Sequence, residues 1–362
     1  MANQGALALI VTIFASIAAM GSASSLVTFV FGDSLTDVGN NNFLQYSLAK
    51  SNYPWYGIDF NGGQATGRFT NGRTIGDILS TKLGIQSPPP YLSLSQNDDR
   101  ILKGVNYASG GAGILNETGQ YFLQRLTFDD QITSFEKNKE AIKAKIGEQA
   151  TNKLLNEAIY FVGMGSNDYV NNFLQPFMAD GQQYTHEAFV DLLISTLDKQ
   201  IKRLYNLGAR KLVFTGIGPL GCIPSQRAKS KQGGCLLRVN QWVSQFNAQV
   251  QKLLLALNPG LPGTEFTFAD TYPVVLDLIM NPHSYGNTNT TVNDNVIMQK
   301  LSLNHNCLLI AATQASRTPT LRAAMSIQPL EDCVCLTQSC AETERNSYFG
   351  MHSIPQKLQT RC

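Results

Sequence analysis

Small polar segments follow the apolar runs of this sequence, and the first of them contains a candidate nucleophile. Ser34 comes directly after an apolar run, in the turn-forming segment 32–36. A serine at the start of a helix there would be exposed, and helix N-terminal N–H groups could stabilise negative charge beside it. The same position also suits a serine that only caps the helix. Ser34 is therefore a candidate for nucleophilic acyl chemistry, with an N-cap as the simpler role.

Two further segments could supply hydrogen-bond donors to such a reaction. Gly111 lacks a side chain, so its N–H can approach a reacting oxygen closely, and Asn167 offers a side-chain amide. Together with the Ser34 N–H they could form an oxyanion hole with three donors. Gly, Ser, Asn and Asp are also the residues that ordinary turns use, so turn chemistry remains the alternative for both segments.

Short apolar runs that alternate with helical patterns must position these groups. The β-prone runs are residues 26–31, 104–108, 158–162, 211–215 and 265–269, and the predicted helices are residues 72–83, 128–142, 187–207, 238–257 and 272–280. This alternation predicts a parallel sheet with helices on both faces. Ligands of such sheets bind at the carboxyl ends of the strands, where Ser34, Gly111 and Asn167 all fall.

Several ordered motifs resemble the plant GDSL esterase/lipase family, within the SGNH hydrolases. The motifs are Phe31-Gly32-Asp33-Ser34-Leu35-Thr36-Asp37-Val38-Gly39-Asn40-Asn41, Asn71-Gly72-Arg73, Gly104-Val105-Asn106-Tyr107-Ala108-Ser109-Gly110-Gly111-Ala112-Gly113, Gly165-Ser166-Asn167-Asp168-Tyr169 and Gly218-Pro219-Leu220-Gly221-Cys222. The resemblance covers residues 27–286. It implies a flavodoxin-like three-layer α/β/α fold with about five parallel strands, and hydrolysis of carboxylic esters through an acyl-enzyme.

The resemblance also implies roles for individual residues. The nucleophile of the family falls on Ser34 and the oxyanion-hole asparagine on Asn167. The oxyanion-hole glycine falls on Gly111, with Gly110 as the neighbouring alternative. No cofactor is implied, and the expected substrate is a small-molecule or polymeric ester.

The family's general base is missing from this sequence. The family places an Asp three residues before a His near the C-terminus, where the His accepts the serine proton and the Asp orients it. Here the four histidines are preceded at that spacing by Gln, Met, Ser and Phe, so the pattern does not occur. His186 and His283 read as surface or helix-end residues, and no catalytic Asp or His is assigned. We therefore expect little or no esterase activity, and a ligand-binding module is the competing interpretation.

The tail beyond Gly286 reads as an aberrant translation. In a shifted reading frame, the last nucleotide of each present codon is read with the first two of the next. With permissible codons, residues 349–357 then encode Trp-Asp-Ala-Phe-His-Pro-Thr-Glu, which is the missing block. The codons of Tyr285 and Gly286 permit a splice donor and that of Gln314 a splice acceptor. These observations predict a retained intron at 287–314 and an out-of-frame last exon at 315–362, while a divergent tail is the alternative. The hydrolase domain is then 24–286.

The N-terminus is typical of a secreted protein. Residues 6–20 are almost entirely apolar but short for a membrane span, and Gly21-Ser22-Ala23 suits signal-peptidase cleavage. A basic segment before the apolar run is absent, and a buried helix is the alternative. We expect a signal peptide at 1–23, secretion, and no stable membrane span. Asn116 and Asn289 lie in glycosylation sequons.

The cysteines are unevenly spread. Cys222 and Cys235 flank a Gly-containing loop, whereas the other five lie beyond residue 300. In an oxidising compartment the first two could form a disulfide, and free thiols are the alternative. A zinc site is not expected, because no His lies near either residue.

Composition excludes other classes of function. The net charge is +2 and only 15% of residues are charged, which argues against a nucleic-acid binder. No dinucleotide or phosphate loop follows the first strand, so a flavodoxin-like cofactor binder is also excluded. The acyl preference and the oligomeric state stay open, since loops such as 43–64 and 115–126 would set the former.

Overall fold

Five short strands form one parallel sheet. The computed structural model describes residues 26–95 and 97–285. Within them lie β1 (Thr28–Gly32), β2 (Gly104–Asn106), β3 (Ile159–Gly163), β4 (Lys211–Thr215) and β5 (Glu265–Ala269), in the sheet order β2-β1-β3-β4-β5. Each neighbouring pair is parallel. The predicted α/β architecture with about five parallel strands is therefore confirmed.

Helices connect successive strands. The longer ones are α1 (Ile75–Lys82), α2 (Phe128–Ile146), α3 (Glu148–Glu157), α4 (His186–Leu207), α5 (Leu237–Gly260) and α6 (Tyr272–Met280). Shorter helical turns are Asn40–Phe43, Asn61–Gly63, Tyr91–Ser93, Asp99–Lys103, Gln120–Phe122, Ser166–Asp168, Tyr169–Phe173, Asp180–Gln183, Leu220–Cys222, Pro224–Arg227 and Pro282–Tyr285. Most of the short turns lie in the connections that surround the carboxyl ends of the strands.

The two faces of the sheet bury different amounts of apolar surface. On one face, side chains such as Phe29, Phe31 and Phe214 are fully buried against α2, α4 and α5. The rings of Phe31 and Tyr107 stack there with centroids 5.1 Å apart. On the other face a small cluster around Phe161 is covered by apolar residues of α1. Strands β1 to β4 are buried along most of their length, which explains why they read as continuous apolar runs, whereas β5 is buried at only two of its five positions.

Local sequence signals explain where the helices begin and end. Helix α1 begins at Ile75 rather than residue 72, because the Thr74 hydroxyl accepts the Asp77 N–H while the Asp77 carboxylate accepts the Thr74 N–H. Helix α3 was not predicted from the sequence. It begins directly after Gly147, whose φ of 78° ends α2 without a connecting loop, so no turn-rich stretch separates the two helices.

The order in which strands are added to the sheet reverses at β1. Strand β2 lies on one side of β1 and β3 on the other, so the loops after these three strands meet at the point where ligands of open α/β sheets bind. Within residues 26–95 and 97–285, every helix is too short or too polar to cross a bilayer. The same residues contain no group of three or more His, Cys, Asp or Glu that could hold a metal ion.

Candidate active site

Ser34 lies in a tight turn at the carboxyl end of β1. The N–H groups of Thr36 and Asp37 donate to the Asp33 carbonyl at 3.2 and 3.0 Å, and the Leu35 N–H donates to the Asp33 carboxylate at 2.9 Å. Ser34 itself is half-buried. A Cβ on Gly32 would collide with the Thr36 hydroxyl, so the turn requires glycine at that position.

The expectation that Ser34 begins a helix is wrong. The turn spans residues 33–36 and is followed by an isolated bridge at Val38, not by a helix. Gly39 adopts a φ of 126°, and the Asp37 carboxylate accepts the N–H groups of Gly39 and Asn40 at 2.8 and 2.7 Å. The side chain of Asp37 thus satisfies the backbone donors that a continuing helix would have used.

The segment after β2 is bonded to the turn of Ser34. The Ser109 N–H donates to the Gly32 carbonyl at 3.1 Å, and the Gly110 N–H donates to the Asp37 carboxylate at 3.0 Å. Asn41 donates from its amide to the Gly110 carbonyl at 2.9 Å. The Gly110 amide is therefore occupied, which favours Gly111 over Gly110 as the oxyanion-hole donor.

Gly111 could not be replaced without moving its neighbours. Its φ is 86°, a conformation that side chains with a Cβ rarely adopt, and an added Cβ would lie 2.7 Å from the Phe122 ring. Within the described residues, no hydrogen bond engages the Gly111 N–H. This amide can therefore donate to a substrate oxygen.

The side chain of Asn167 is fixed in one orientation. Its Nδ2 donates to the Ala112 carbonyl at 2.7 Å, and its Oδ1 accepts from Asn171 Nδ2 at 2.6 Å. The Asn171 Oδ1 in turn accepts the Tyr121 hydroxyl at 2.6 Å. Because an amide nitrogen carries two hydrogens, Nδ2 keeps one donor for a ligand after bonding to Ala112. The π-helical turn Tyr169–Phe173 places Asn171 against Asn167.

Asp168 ties the loop of Asn167 to the loop of Gly111. Its carboxylate accepts the N–H groups of Ile114 and Leu115 at 2.8 and 3.0 Å and the Thr118 hydroxyl at 2.7 Å. The side chain is fully buried. We call the buried polar residues Asp37, Asn41, Ser109, Asn167 and Asp168 the site floor.

Three buried carboxyl groups in and beside the site floor have raised pKa values. Burial raises the pKa of Asp33 to about 7; the Leu35 N–H opposes this rise and the charge of Asp168 adds to it. Burial also raises the pKa of Asp37 and of Asp168 to about 6 each, and the backbone N–H groups bonded to them offset part of the effect. The carboxyl next to Ser34 therefore stays largely protonated in weakly acidic solution.

Gln131 also positions the turn of Ser34, and the sequence analysis did not identify it. From α2 its Oε1 accepts the Gly32 N–H at 3.0 Å, and its Nε2 donates to the Gly32 carbonyl at 2.9 Å. These bonds fix the end of β1 directly before the Ser34 turn. The available signal was a glutamine on the apolar face of α2, four residues before the buried Phe135. Asp168 lies in a sequence motif that indicates no role for this residue.

Neither described histidine is placed as a base. His186 begins α4, where it is buried rather than on the surface, stacks on Trp242 and lies 3.0 Å from the Tyr169 hydroxyl through Nε2. His283 lies in an exposed turn. His305 and His352 fall outside the described residues, as do the predicted signal peptide, Asn289 and the predicted intron and frame-shifted exon.

The structure places a disulfide between Cys222 and Cys235. It closes a loop that contains the short helix Pro224–Arg227 and leads into α5. Asn116 is exposed, whereas Thr118 of the same sequon is buried and bonded to Asp168. A glycan on Asn116 would therefore project to solvent without disturbing the site floor.

Comparison with known proteins places these features in one family. A family model described as GDSL-like Lipase/Acylhydrolase matches residues 28–300. GDSL esterase/lipase At5g37690 of Arabidopsis thaliana is 70% identical over 281 residues, covering 78% of this chain and 79% of that protein. GDSL esterase/lipase At1g74460 of the same plant is 47% identical over 282 residues, covering 78% and 77%. The resemblance inferred from the sequence motifs is confirmed.

Proposed function

The chain belongs to the GDSL-like lipase/acylhydrolase family of ester-hydrolysing enzymes, and on that premise we propose that Ser34 is its nucleophile and that the protein is secreted. Ser34 Oγ would attack the carbonyl carbon of a carboxylic ester. The N–H groups of Ser34 and Gly111 and the Asn167 Nδ2 would hold the resulting oxyanion. Expulsion of the alcohol leaves an acyl group on Ser34, which water then removes.

One observation carries this proposal. The Asn167 amide is bonded to the Ala112 carbonyl, and the Ser109 N–H is bonded to the Gly32 carbonyl. These two contacts hold the loops of Asn167 and Gly111 against the turn of Ser34. Donors fixed in advance are what stabilise charge in an acyl-transfer transition state, because they need not reorganise during the reaction.

We also propose that this chain is impaired as a catalyst. Attack by Ser34 needs a base that accepts its proton and returns it to the leaving alcohol, and the sequence contains no Asp-x-x-His. The alignment with the 70% identical Arabidopsis relative covers 78% of the chain, so 22% of the chain lies outside that alignment. A serine without its base retains about 10³–10⁴-fold catalysis over water from the oxyanion hole and binding.

Turnover of a soluble ester tests both proposals. The purified mature chain and its Ser34→Ala variant are compared on p-nitrophenyl butyrate. We expect slow hydrolysis that Ser34→Ala lowers little further, because a serine and its base act as a unit and loss of the second costs little once the first is gone. Hydrolysis at the 1–10³ s⁻¹ of ordinary enzymes would contradict the impairment. In a chain whose tail is translated in the frame that restores Asp-x-x-His, Ser34→Ala should abolish turnover, and equal rates there would remove Ser34 as the nucleophile.

The absent Asp-x-x-His also favours a second candidate, a secreted ligand-binding module that keeps the site without turning over. Calorimetric titration of the chain with a non-hydrolysable alkyl ketone separates the two. Tight binding with no ester turnover supports the module. Turnover dependent on Ser34 supports the enzyme.

Secretion is supported by the apolar N-terminus and by the disulfide, since disulfides persist in oxidising compartments. N-terminal sequencing of protein recovered from the medium of expressing plant cells tests it, and we expect a mature chain that begins at Ser24. A cell-retained chain that begins at Met1 would contradict secretion. Sequencing the transcript across the codons for residues 281–326 tests the retained intron.

A further inference from the structure

The exposed apolar side chains of this protein are concentrated in one area. Among the described residues, twelve large apolar side chains are exposed, and eight of them lie in segments next to the candidate active site. We call these eight the apolar rim: Leu35, Phe43, Tyr46, Leu48, Tyr53, Trp55, Leu123 and Phe177. Each is between 51% and 67% exposed. Scattered exposed apolar residues need no explanation, but a concentration of them marks an interaction surface.

Hydrogen bonds and ring contacts join the rim segments to each other. The Leu48 N–H donates to the Phe122 carbonyl at 3.0 Å, and the Tyr46 N–H donates to Gln124 Oε1 at 2.9 Å. The rings of Tyr121 and Phe177 meet edge to face with centroids 5.4 Å apart. The segments 43–55, 119–124 and 173–178 thus form one continuous border.

The same border contacts the glycines of the site. The Phe122 ring lies against Gly111 and the Phe69 ring against Gly110. The rings of Phe69 and Tyr56 are in contact, with centroids 6.1 Å apart. The rings of Tyr56 and Tyr53 are in contact in turn, with centroids 5.0 Å apart. Leu35 directly follows Ser34 in the chain. The segments of the apolar rim therefore adjoin the loops of Ser34 and Gly111.

Two rim residues hold a strained backbone while exposing their side chains. Trp55 has a φ of 84° and Leu123 a φ of 65°, and only one other non-glycine residue of the described chain has a positive φ. Such conformations cost about 1–3 kcal/mol each and persist where the surrounding structure enforces them. In Trp55 and Leu123 this strained backbone carries exposed apolar side chains, which do not stabilise the folded state by burial.

The border is almost free of charge. Lys50 is the only Asp, Glu, Lys or Arg in segments 43–55, 119–124 and 173–178. An uncharged apolar surface matches a partner that is itself uncharged and rich in acyl chains. It does not match an anionic membrane, which basic side chains would recognise.

We propose that the apolar rim inserts into the surface of aggregated, uncharged carboxylic esters and thereby presents their ester groups to Ser34. Burial of the rim side chains in the acyl phase supplies the driving force. The role of the surface as a substrate surface rests on the proposed function, whereas the binding itself does not require turnover.

Partition into ester droplets tests the inference. The full chain carrying Ser34→Ala, which prevents hydrolysis, is mixed with triolein droplets coated with phosphatidylcholine and separated by flotation. We expect binding that is insensitive to salt. Leu123→Ser with Phe177→Ser, and separately Tyr53→Ser with Trp55→Ser, should each weaken binding about tenfold.

A matched control uses apolar residues that are equally exposed elsewhere. Leu237 and Leu255 lie on α5, and Leu237→Ser with Leu255→Ser should leave binding within about twofold of the parent. Circular dichroism shows whether each variant is folded. Equal weakening by the α5 control would show that general surface hydrophobicity drives binding and would overturn the inference.

Other results would overturn it as well. They are a parent chain that does not float, rim variants that float like the parent, or binding only to vesicles containing phosphatidylserine that disappears at high salt. A parent dimer that the rim substitutions dissociate, without droplet binding, would assign the rim to a second copy of the chain.

The proposed function fails independently. In the chain with Asp-x-x-His restored, hydrolysis of soluble p-nitrophenyl butyrate that does not depend on Ser34, with droplet binding intact, removes the nucleophile and leaves the rim. The reverse pattern leaves the nucleophile and removes the rim.

Discussion

The site floor and the apolar rim both adjoin the loop of Ser34 but are built from opposite kinds of side chain. Floor residues such as Asn41 and Asp168 are buried, and each bonds to a neighbouring loop. Rim residues such as Leu123 and Phe177 are exposed and apolar. A buried hydrogen bond fixes an atom in place, whereas an exposed apolar side chain contributes area in any orientation. The floor should therefore be intolerant of substitution and the rim tolerant.

Restoring the missing Asp and His should have the largest effect. It tests whether the site floor supports catalysis once a base is present. Expression from a message that lacks the codons for 287–314, with the frame restored downstream, supplies the missing Asp and His. We expect kcat/KM for p-nitrophenyl butyrate to rise about 10⁴-fold or more, because removal of a catalytic base costs that much in serine hydrolases. Ser34→Ala in the restored enzyme is the control. An unchanged rate would mean that the floor is not competent.

A substitution in the floor should cost most of that gain. In the restored enzyme, Asn167→Ala removes one oxyanion donor, and kcat should fall about 10²–10³-fold with little change in KM. Asn152→Ala on the exposed surface of α3 is the matched control. Steady-state kinetics measures both. A loss confined to KM would assign Asn167 to substrate binding instead.

The buried carboxyl beside Ser34 should make stability depend on pH. The folded-state pKa of Asp33 is raised from 3.8 to about 7, so between these values the unfolded chain releases a proton that the folded chain retains. This favours unfolding as pH rises. Asp33→Asn keeps the acceptor for the Leu35 N–H but does not ionise. As pH rises from 4 to 8, the parent should therefore lose about 2–4 kcal/mol of unfolding free energy relative to the variant.

Urea denaturation at pH 4, 6 and 8 measures this difference. A parent and variant whose stabilities run parallel across the range would show that Asp33 titrates normally. Asp191→Asn, which replaces an exposed carboxyl on α4, is the control.

A floor residue that does not touch substrate should show a smaller effect. Asp168→Asn leaves one oxygen for the three donors that now bond to the carboxylate, so at least one buried donor loses its partner. We expect a loss of about 1–3 kcal/mol in unfolding free energy. Urea denaturation measures it, again with Asp191→Asn as the control. A loss below that of the control would show that the two loops hold together without Asp168.

The smallest effect belongs to the rim. In the restored enzyme, Leu123→Ser with Phe177→Ser should change kcat/KM for soluble p-nitrophenyl butyrate by less than about twofold, because exposed side chains away from the reacting atoms contribute little to a small substrate. Steady-state kinetics on this soluble ester measures it. A large loss would place these side chains in the substrate pocket and would break the contrast between floor and rim.

Much of the fold could be read from the sequence. The predicted runs 211–215 and 265–269 coincide with β4 and β5, and the predicted helix 272–280 coincides with α6. Buried parallel strands and amphipathic helices leave strong local patterns, and the turns between them are rich in glycine. The junction of α2 and α3 was not predicted, because Gly147 separates two helices without any loop residues.

The candidate active site likewise contains residues that the sequence indicated and residues that only the structure identified. The candidates Ser34, Gly111 and Asn167 follow from segments that end strands, and the structure places all three at the carboxyl ends of neighbouring strands. Gln131 and Asp168 left only weak signals, because their partners lie far along the chain. Gln131 bonds to Gly32, and Asp168 bonds to Ile114 and Leu115.

By itself the sequence determined the order of the strands and of the longer helices other than α3, the residues at the strand exits and the absence of an Asp-x-x-His. These are properties of local pattern and composition. The tertiary structure alone decided that Gly111 rather than Gly110 keeps a free amide, that Asn167 is held in one orientation, and that the exposed apolar side chains form one rim. Each of these depends on contacts between residues distant in sequence, which no local pattern encodes.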